Sequence, residues 1–305
     1  MATVAFHTLG CKVNSYESEA MLEIFKKRGY DNIDFESPAD VYVINTCTVT
    51  NTGDSKSRQM IRKAHRTNPD AVICVVGCYS QVASEEITEI EGVSVVLGTQ
   101  HRASIVDFVE EYKMTHKQIV KIENVMKVSR FEDLSIHAFE NKTRAFLKIQ
   151  DGCNNFCTYC IIPYARGGVR SRPKEDVLRQ AQELVDRGFV EIVLTGIHTA
   201  GYGVDLDNYS FYDLLVDLTT KIKGLKRLRI SSIEMSQVSD EIIELIGRSP
   251  IIVDHLHIPI QSGTNSILRR MARHYNTAEF EKKYFELKEA LPGISITTDV
   301  IVGFP

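Results

Sequence analysis

The feature that most constrains the fold is a short segment carrying three cysteines, Cys153, Cys157 and Cys160. This spacing alone is also typical of three side chains on one buried face of a helix. Residues 152–155 are rich in glycine and asparagine, which favour turns, and the apolar run 145–149 is typical of a strand. The sequence therefore predicts three thiols on a loop at the C-terminal end of a strand.

Three clustered thiolates suit a soft metal, and two kinds of site compete for them. A structural zinc ion needs four ligands, and this loop contains no fourth Cys or His. A four-iron, four-sulfur cluster held by three thiolates leaves one iron open to a small chelating molecule. Such a cluster can hold S-adenosylmethionine (SAM) and pass it an electron, which releases a 5′-deoxyadenosyl radical. The C-x3-C-x2-C spacing, with Tyr159 before the last Cys, resembles the radical SAM superfamily.

The composition bounds the remaining possibilities. The 305 residues leave room for about two domains, and 43% hydrophobic and 25% charged residues are ordinary for a globular protein. We find no apolar run of about 18 residues and no secretory signal, so we expect a cytoplasmic protein without a membrane segment. In that compartment the composition of seven Cys favours metal ligands over disulfides. The net charge of -4 means that any RNA contact must come from local basic patches.

The first 110 residues alternate apolar strands with helical segments. The predicted strands are residues 4–8, 40–45, 71–76 and 93–97, and Asn14 or Ser15 is expected to cap the first helix. This alternation predicts a doubly wound parallel α/β domain over residues 1–110.

A second trio, Cys11, Cys47 and Cys78, lies just past the ends of three of these strands. The C-terminal ends of parallel strands open on one edge of a sheet, so these distant cysteines can meet in space. The alternative is three unrelated loop cysteines. Cys74 falls within a strand, and we expect it to be buried and inert.

Residues 111–143 are polar and lack sustained periodicity, which predicts a linker with a possible strand at 118–122. Five β/α units follow and predict an incomplete (β/α) barrel over residues 144–305, with its site at the C-terminal mouth. The predicted barrel strands are residues 145–149, 191–194, 227–232, 255–258 and 294–302.

Five residues at the mouth are candidate SAM contacts, besides Tyr159 in the cysteine loop. Thr195 and Gly196 are placed to bring backbone close to the methionyl group. Glu234, Gln261 and Ser262 are placed to hydrogen-bond its amine or ribose. The alternative for each of them is a cap or a loop-fixing residue.

Several motifs together resemble the radical SAM methylthiotransferase family, over essentially the whole chain. They include HTLGCKVNSYESE, VINTCTVTNTGDSKSR, VVGCYSQ, KIQDGCNNFCTYCIIPYARGGVRSRP and HLHIPIQSG. The resemblance implies two four-iron, four-sulfur clusters: an auxiliary cluster on Cys11, Cys47 and Cys78, and a radical cluster on the catalytic Cys153, Cys157 and Cys160. Family members continue with a sixth barrel strand and a C-terminal RNA-binding TRAM domain. Because this sequence stops at Pro305, we expect the TRAM domain to be absent.

The branch of the family that the motifs match best modifies threonylcarbamoyladenosine at position 37 of tRNA. The resemblance implies that SAM methylates sulfur held at the auxiliary cluster and also supplies the radical that activates C2 of the base. It implies tRNA and an electron donor such as flavodoxin or ferredoxin as partners of a monomeric enzyme.

Other members of the family act on isopentenyladenosine in tRNA or on an aspartate of a ribosomal protein, and Lys12 after Cys11 argues mildly against these substrates. A hypothesis from a different class is a non-catalytic iron-sulfur module that binds RNA or carries electrons. A protein that binds only zinc is a third possibility.

Two basic sets are candidate RNA contacts. Arg166, Arg170, Arg172 and Lys174 follow the radical loop and are predicted to contact phosphates. The helix after Cys47 carries the second set, for which a solvated helix face is the alternative. Its members are Lys56, Arg58, Arg62, Lys63 and Arg66.

Overall fold

The computed structural model describes residues 2–134, 136 and 143–305, which divide into two compact units. The first unit comprises Met1–Glu140 and Ile161–Gly168, and the second comprises Asn141–Cys160 and Val169–Pro305. The first unit thus continues beyond the predicted boundary at residue 110 and also takes in the segment after Cys160. The part of the predicted linker at residues 135 and 137–142 lies outside the described residues.

The first unit is built on a six-stranded parallel sheet in the order β2-β1-β3-β4-β5-β6. Its strands are β1 (Thr3–Thr8), β2 (Asp31–Ile33), β3 (Val41–Thr46), β4 (Val72–Gly77), β5 (Val93–Leu97) and β6 (Ile119–Lys121). The four predicted strands are confirmed. The edge strand β6 lies in the predicted linker, at the position of the possible strand 118–122.

Helices cover both faces of this sheet, as the doubly wound prediction requires. The helices are α1 (Lys12–Lys27), α2 (Asn51–Thr67), α3 (Cys78–Val82), α4 (Ser84–Thr88), α5 (Ile105–Thr115) and α6 (Ile162–Arg166). On one face, Met21 and Phe25 of α1 and Val106 of α5 pack on β1, β3 and β4. On the other, Ile61 of α2 and Ile87 of α4 pack on the same strands. Strands buried on both faces read as continuous apolar runs, which is why they could be recognised from the sequence.

The second unit holds the barrel strands, and their bounds are β7 (Ala145–Lys148), β10 (Glu191–Thr195), β11 (Arg227–Ile230), β12 (His255–His257) and β13 (Ser295–Thr297). Parallel pairing links β11, β10 and β7 in one sheet and β12 with β13 in another. A parallel bridge from Leu228 to Ile252 continues the curve beyond β11. The predicted incomplete barrel is confirmed. A short antiparallel pair, β8 (Gln150–Asp151) and β9 (Arg170–Ser171), flanks the cysteine loop.

Helices alternate with these strands as α7 (Lys174–Asp186), α8 (Phe211–Lys221), α9 (Asp240–Arg248), α10 (Asn265–Arg270) and α11 (Thr277–Ala290). Reciprocal capping boxes, Ser210 with Asp213 and Asn276 with Glu279, begin α8 and α11 and satisfy backbone N–H groups that a helix leaves unpaired. Each loop that precedes one of these two helices is thereby fixed at its far end.

Two candidate cysteine sites

Three cysteines of the first unit follow three neighbouring strands. Cys11 precedes α1 beyond the end of β1, Cys47 directly follows β3, and Cys78 is the first residue of α3 after β4. Because β1, β3 and β4 are adjacent and parallel, the three thiols lie at one edge of the sheet, where the sequence predicted them. Cys74 lies within β4 in the apolar core, and burial raises the pKa of its thiol, as expected for an inert cysteine.

The loops that carry Cys11 and Cys47 are in direct contact. Gly10 has φ +103°, and a Cβ there would lie 2.9 Å from Cys47 Cβ and 3.0 Å from Cys47 Sγ. A side chain at position 10 would therefore clash with the Cys47 side chain. Glycine is required here both by the backbone conformation and by this close approach.

Asn14 joins these two loops and does not cap the helix. Its amide Nδ2 donates to Leu9 O at 2.8 Å and to Thr46 O at 2.9 Å, and its backbone carbonyl accepts from Asn45 Nδ2 at 3.0 Å. The helix begins earlier, with Cys11 at its N-cap. The predicted cap at Asn14 or Ser15 is wrong, because the Asn14 side chain is buried between the ends of β1 and β3.

A fully buried arginine contacts the third thiol of this trio. Arg166 Nε donates to Cys78 Sγ at 3.2 Å, while Nη1 and Nη2 contact the two oxygens of Glu17 at 2.7 and 3.0 Å. Nη2 also donates to Asn14 Oδ1 at 2.8 Å. Burial raises the pKa of the Cys78 thiol to about 11, and the charge of Arg166 opposes that shift. The arginine therefore favours the thiolate form that binds metal.

The carboxylate of Glu17 is shared by two arginines. Arg102 Nη1 lies 2.5 Å from its Oε2, and Arg102 Nη2 lies 2.8 Å from Glu132. Cations and anions thus alternate in the order Arg166, Glu17, Arg102, Glu132, and the first three are fully buried. Buried ions persist when they are paired and hydrogen-bonded in this way.

The loop of the second unit brings its own three thiols together. Cys157 is buried, and Cys153 and Cys160 are partly exposed. Burial is the largest of the causes that raise the pKa of Cys153 to about 11, and the charges of Cys160, Glu234 and Cys157 add to it. Thr158 fixes the loop, since its N–H donates to Met271 O at 3.1 Å and its hydroxyl to Arg270 O at 2.8 Å.

Arg273, Glu234 and Asn155 form a network against this loop. Arg273 Nη1 donates to Cys157 Sγ at 3.2 Å, and Nη2 lies 3.0 Å from Glu234 Oε1. Asn155 Nδ2 donates to the same carboxylate oxygen at 3.0 Å. Each trio therefore has one buried or nearly buried arginine on one of its sulfurs.

Thr195, Gly196 and Tyr159 are three of the remaining predicted SAM contacts. Thr195 is buried at the end of β10, paired with Lys148 of β7. A Cβ on Gly196 would lie 2.9 Å from Gln150 Oε1, so this glycine accommodates the Gln150 side chain. Tyr159 lies next to Cys160, with its ring 6.3 Å from that of Phe304, and burial raises the pKa of its phenol.

Gln261 and Ser262 lie in the loop between β12 and α10. Gln261 has φ +64° and bridges to Val300, while the Ser262 hydroxyl accepts from the Thr264 N–H at 3.3 Å. For Ser262 the structure favours the loop-fixing alternative. Glu234 differs from both, because its carboxylate hydrogen-bonds Asn155 within the cysteine loop itself.

Three of the four arginines and lysines predicted to contact RNA after the radical loop are buried. Arg166 holds Cys78 and Glu17, and Arg170 lies 3.9 Å from Asp151 across the β8–β9 pair. Arg172 donates to Gln180. The prediction of phosphate contacts is wrong for Arg166, Arg170 and Arg172. Their guanidinium groups already contact carboxylates, an amide or a thiol inside the protein. Lys174 is exposed, with Nζ 4.8 Å from the Tyr209 ring centre.

The sequence analysis missed Arg273, Asn155, Asn14 and Glu17 as parts of the sites. Only Glu17 left a signal: it lies on the same face of α1 as the apolar Ala20 and Met21, where a lone carboxylate would be costly. No local pattern marks Arg273, because its partner Glu234 is distant in the sequence.

The donor chemistry of both sites fits an iron-sulfur cluster. Each presents three thiols and a cationic N–H donor directed at one sulfur, a set suited to a soft, anionic group. Across residues 2–134, 136 and 143–305, no three His, Cys, Asp or Glu side chains form a group that could hold a metal ion. A cluster of four irons is wider than one ion, so its thiolate ligands are more widely spaced.

Comparison with known proteins identifies the family. Residues 147–305 match the radical SAM superfamily, and residues 3–98 match the uncharacterized protein family UPF0004. The chain is 59% identical to the threonylcarbamoyladenosine tRNA methylthiotransferase MtaB of Bacillus subtilis, covering 100% of this chain and 68% of that protein. The chain belongs to the radical SAM methylthiotransferase family. Its cofactors are accordingly SAM and two four-iron, four-sulfur clusters.

A second branch of the family is more distant. The tRNA-2-methylthio-N(6)-dimethylallyladenosine synthase of Finegoldia magna is 34% identical, over 99% of this chain and 66% of its own length. Among solved structures, the radical SAM methyltransferase TsrM of Kitasatospora setae covers 100% of this chain, and the chain covers 68% of TsrM, at a TM-score of 0.69 and 14% identity. The likeness to TsrM supports the fold alone.

Proposed function

We propose that this chain adds a methylthio group to C2 of N6-threonylcarbamoyladenosine at position 37 of tRNA. The observation that carries the proposal is 59% identity over the whole chain to a relative named for that substrate, against 34% to one named for dimethylallyladenosine. We place the auxiliary cluster on Cys11, Cys47 and Cys78 and the radical cluster on Cys153, Cys157 and Cys160. When bound, the radical cluster supplies an electron that cleaves SAM.

The chain's own residues have defined tasks in this proposal. Arg273 donates to Cys157 and holds Glu234, whose carboxylate also accepts from Asn155 in the cysteine loop. This network fixes the loop and leaves Glu234 beside the thiols, where it is placed to accept from the amino group of SAM. Tyr159, Thr195, Gly196 and Gln261 remain proposed contacts to SAM at the mouth of the barrel, whereas Ser262 fixes its own loop.

Its partners follow from the same assignment. An electron donor such as flavodoxin or ferredoxin would reduce the radical cluster, and we propose that the enzyme acts as a monomer in the cytoplasm, where tRNA is found. None of the helices in the described parts of the chain is long and apolar enough to cross a membrane.

The substrate is tested with two tRNAs that carry threonylcarbamoyladenosine or isopentenyladenosine at position 37. Protein reconstituted anaerobically with iron and sulfide, then given SAM and a reductant, is expected to modify the first and leave the second unchanged. Mass spectrometry of the digested nucleosides reads out one methylthio group replacing hydrogen. Equal modification of both tRNAs would contradict the substrate assignment, and the absence of any 5′-deoxyadenosine would favour the non-catalytic module.

RNA contact is assigned to cations that the structure leaves exposed. These are Lys174 on α7 and Lys56, Arg62 and Arg66 on α2. Of the other predicted cations on α2, Arg58 contacts Tyr79 and Glu86, and Lys63 pairs with Glu36. Arg62 and Arg66 line a cleft of about 520 Å³ together with three acidic residues, Glu86, Glu89 and Glu91. Positive and negative charges therefore lie close together on this surface, and we expect RNA binding there to be sensitive to salt.

The double variant Arg62→Gln, Arg66→Gln is expected to bind tRNA more weakly because two phosphates are no longer neutralised. The slope of log affinity against log salt should become shallower by about 0.7–0.9 for each of these phosphates. Filter binding at four salt concentrations measures both quantities. Lys282→Gln, which removes an exposed cation from α11, is the matched control and should change neither. An unchanged slope in the double variant would remove α2 from the RNA surface.

A further inference from the structure

Arg166 is the group of the first unit whose role the proposed reaction leaves open. It is fully buried, and all three of its nitrogens have partners: Cys78 for Nε, and Glu17 and Asn14 for the two terminal nitrogens. Its two-point contact with the Glu17 carboxylate fixes the plane of the guanidinium. The fold therefore holds the Arg166 side chain in one rotamer, in which the Nε–H bond is directed at the Cys78 sulfur.

The groups around Arg166 do not fully neutralise its positive charge, which therefore acts on the Cys78 thiol. Glu17 would neutralise Arg166 if it had no other partner, but it also binds Arg102. Arg102 in turn pairs with Glu132, so the two positive and two negative charges of this row cancel overall. Arg166 is the cation at the end of the row nearest Cys78. Arg102 is equally buried, but its guanidinium is directed at these two carboxylates and at the Thr99 carbonyl.

A cationic N–H donor on a ligand sulfur stabilises the state of a cluster that carries more negative charge. Hydrogen bonds to sulfur and nearby charge are among the groups that set cluster reduction potentials. The donor also compensates the cost of burying a thiolate at a position that water does not reach. An arginine so placed should make the cluster easier to reduce and hold Cys78 as a ligand.

We propose that Arg166 is a positioning residue of the auxiliary cluster, acting through Cys78 to raise its reduction potential and oriented by Glu17 and Asn14. This inference rests on the proposed assignment of that cluster to Cys11, Cys47 and Cys78. Arg166 was predicted to contact RNA. Its burial and its bond to Cys78 assign it to the cluster.

The test uses the full chain carrying Cys157→Ala, so that the auxiliary cluster is the one left to observe. Midpoint potentials are measured by redox titration followed by electron paramagnetic resonance. Adding Arg166→Gln removes the charge and is expected to lower the equilibrium constant for one-electron reduction by about tenfold, a fall of about 59 mV. Arg166→Lys keeps the charge without the oriented Nε and should give a smaller fall.

Arg102→Gln is the matched control, because it removes an equally buried cation from the same network. Because it leaves Glu17 to offset the charge of Arg166 more fully, it is expected to lower the equilibrium constant, but clearly by less than Arg166→Gln does. A potential that moves equally in the Arg102 and Arg166 variants, or in neither, overturns the proposal. If both Arg166 variants unfold, Arg166 is structural and the proposal is also wrong. If they fold but fail to hold the cluster while the Arg102 variant holds it, the role in ligation is supported.

Failure of the underlying assignment has a different signature. If the Cys157→Ala protein binds no iron-sulfur cluster, the assignment of an auxiliary cluster to Cys11, Cys47 and Cys78 is wrong. This outcome does not depend on the residue at position 166. A cluster that is present and insensitive to Arg166 would leave the proposed function intact and overturn this inference alone.

Discussion

The Cys157→Ala variant will lose cleavage of SAM by more than about 100-fold, whereas Cys47→Ala will retain it. Cys157 is the buried thiol of the loop trio, and replacing it leaves one iron of the radical cluster without a protein ligand. Even partners outside the ligand shell of a metal contribute about 10–100-fold, so loss of a ligand costs more. Cys47 lies in the first unit, on the trio assigned to the auxiliary cluster.

The measurement is the yield of 5′-deoxyadenosine from anaerobically reconstituted and reduced protein, with iron content determined on the same samples. Each variant should hold about four iron atoms per chain, against about eight in the parent. Cys74→Ala is the control, since this cysteine is in the apolar core and belongs to neither trio. If folded Cys47→Ala protein kept its loop cluster but could not cleave SAM, the division of labour between the trios would be wrong.

The Glu17→Gln variant will destabilise the first unit by about 3–5 kcal/mol. Glu17 is fully buried and binds both Arg166 and Arg102, so neutralising it leaves two buried cations facing one amide. Breaking a buried ion pair from one side costs about this much, because the remaining charge stays desolvated. The glutamine has nearly the same shape, so the change in free energy reports charge rather than packing.

Amide hydrogen exchange of β3 and β4 measures this free energy within the first unit alone. Glu23→Gln on the same helix is the matched control. Glu23 forms an i,i+4 pair with Lys27, whose side chain is 61% exposed, and such pairs contribute only about 0.3–0.5 kcal/mol. A destabilisation below about 1 kcal/mol for Glu17→Gln would mean that the buried ions do not depend on this carboxylate.

Much of the fold could be predicted because parallel strands buried on both faces are apolar along their whole length. Strands β3 and β4 are fully buried at every position, and the placement of Cys47 and Cys78 just beyond them followed directly. The edge strand β6 was predicted only as a possible strand within a linker, because three residues at the side of a sheet carry no period that ties them to the first unit. The sequence thus predicted where the thiols lie better than it predicted where the first unit ends.

The arginines show what the sequence did not contain. Arg166, Arg170 and Arg172 were predicted to contact phosphates, and nothing near them in the sequence supplies the partners that a buried arginine needs. Their partners Glu17, Asp151 and Gln180 belong to other elements, and only the folded chain brings them together. Arg273 was missed for the same reason. The cysteine ligands could be predicted from spacing and strand position, whereas the cations beside them depend on tertiary contacts.

The central claim is tested most directly by the nucleosides of tRNA from a strain in which the gene is deleted. Liquid chromatography with mass spectrometry should show 2-methylthio-N6-threonylcarbamoyladenosine lost and its precursor without the methylthio group accumulated. The parent gene should restore the product and the Cys157→Ala gene should not. An unchanged level of the methylthio nucleoside in the deletion strain would contradict the assignment.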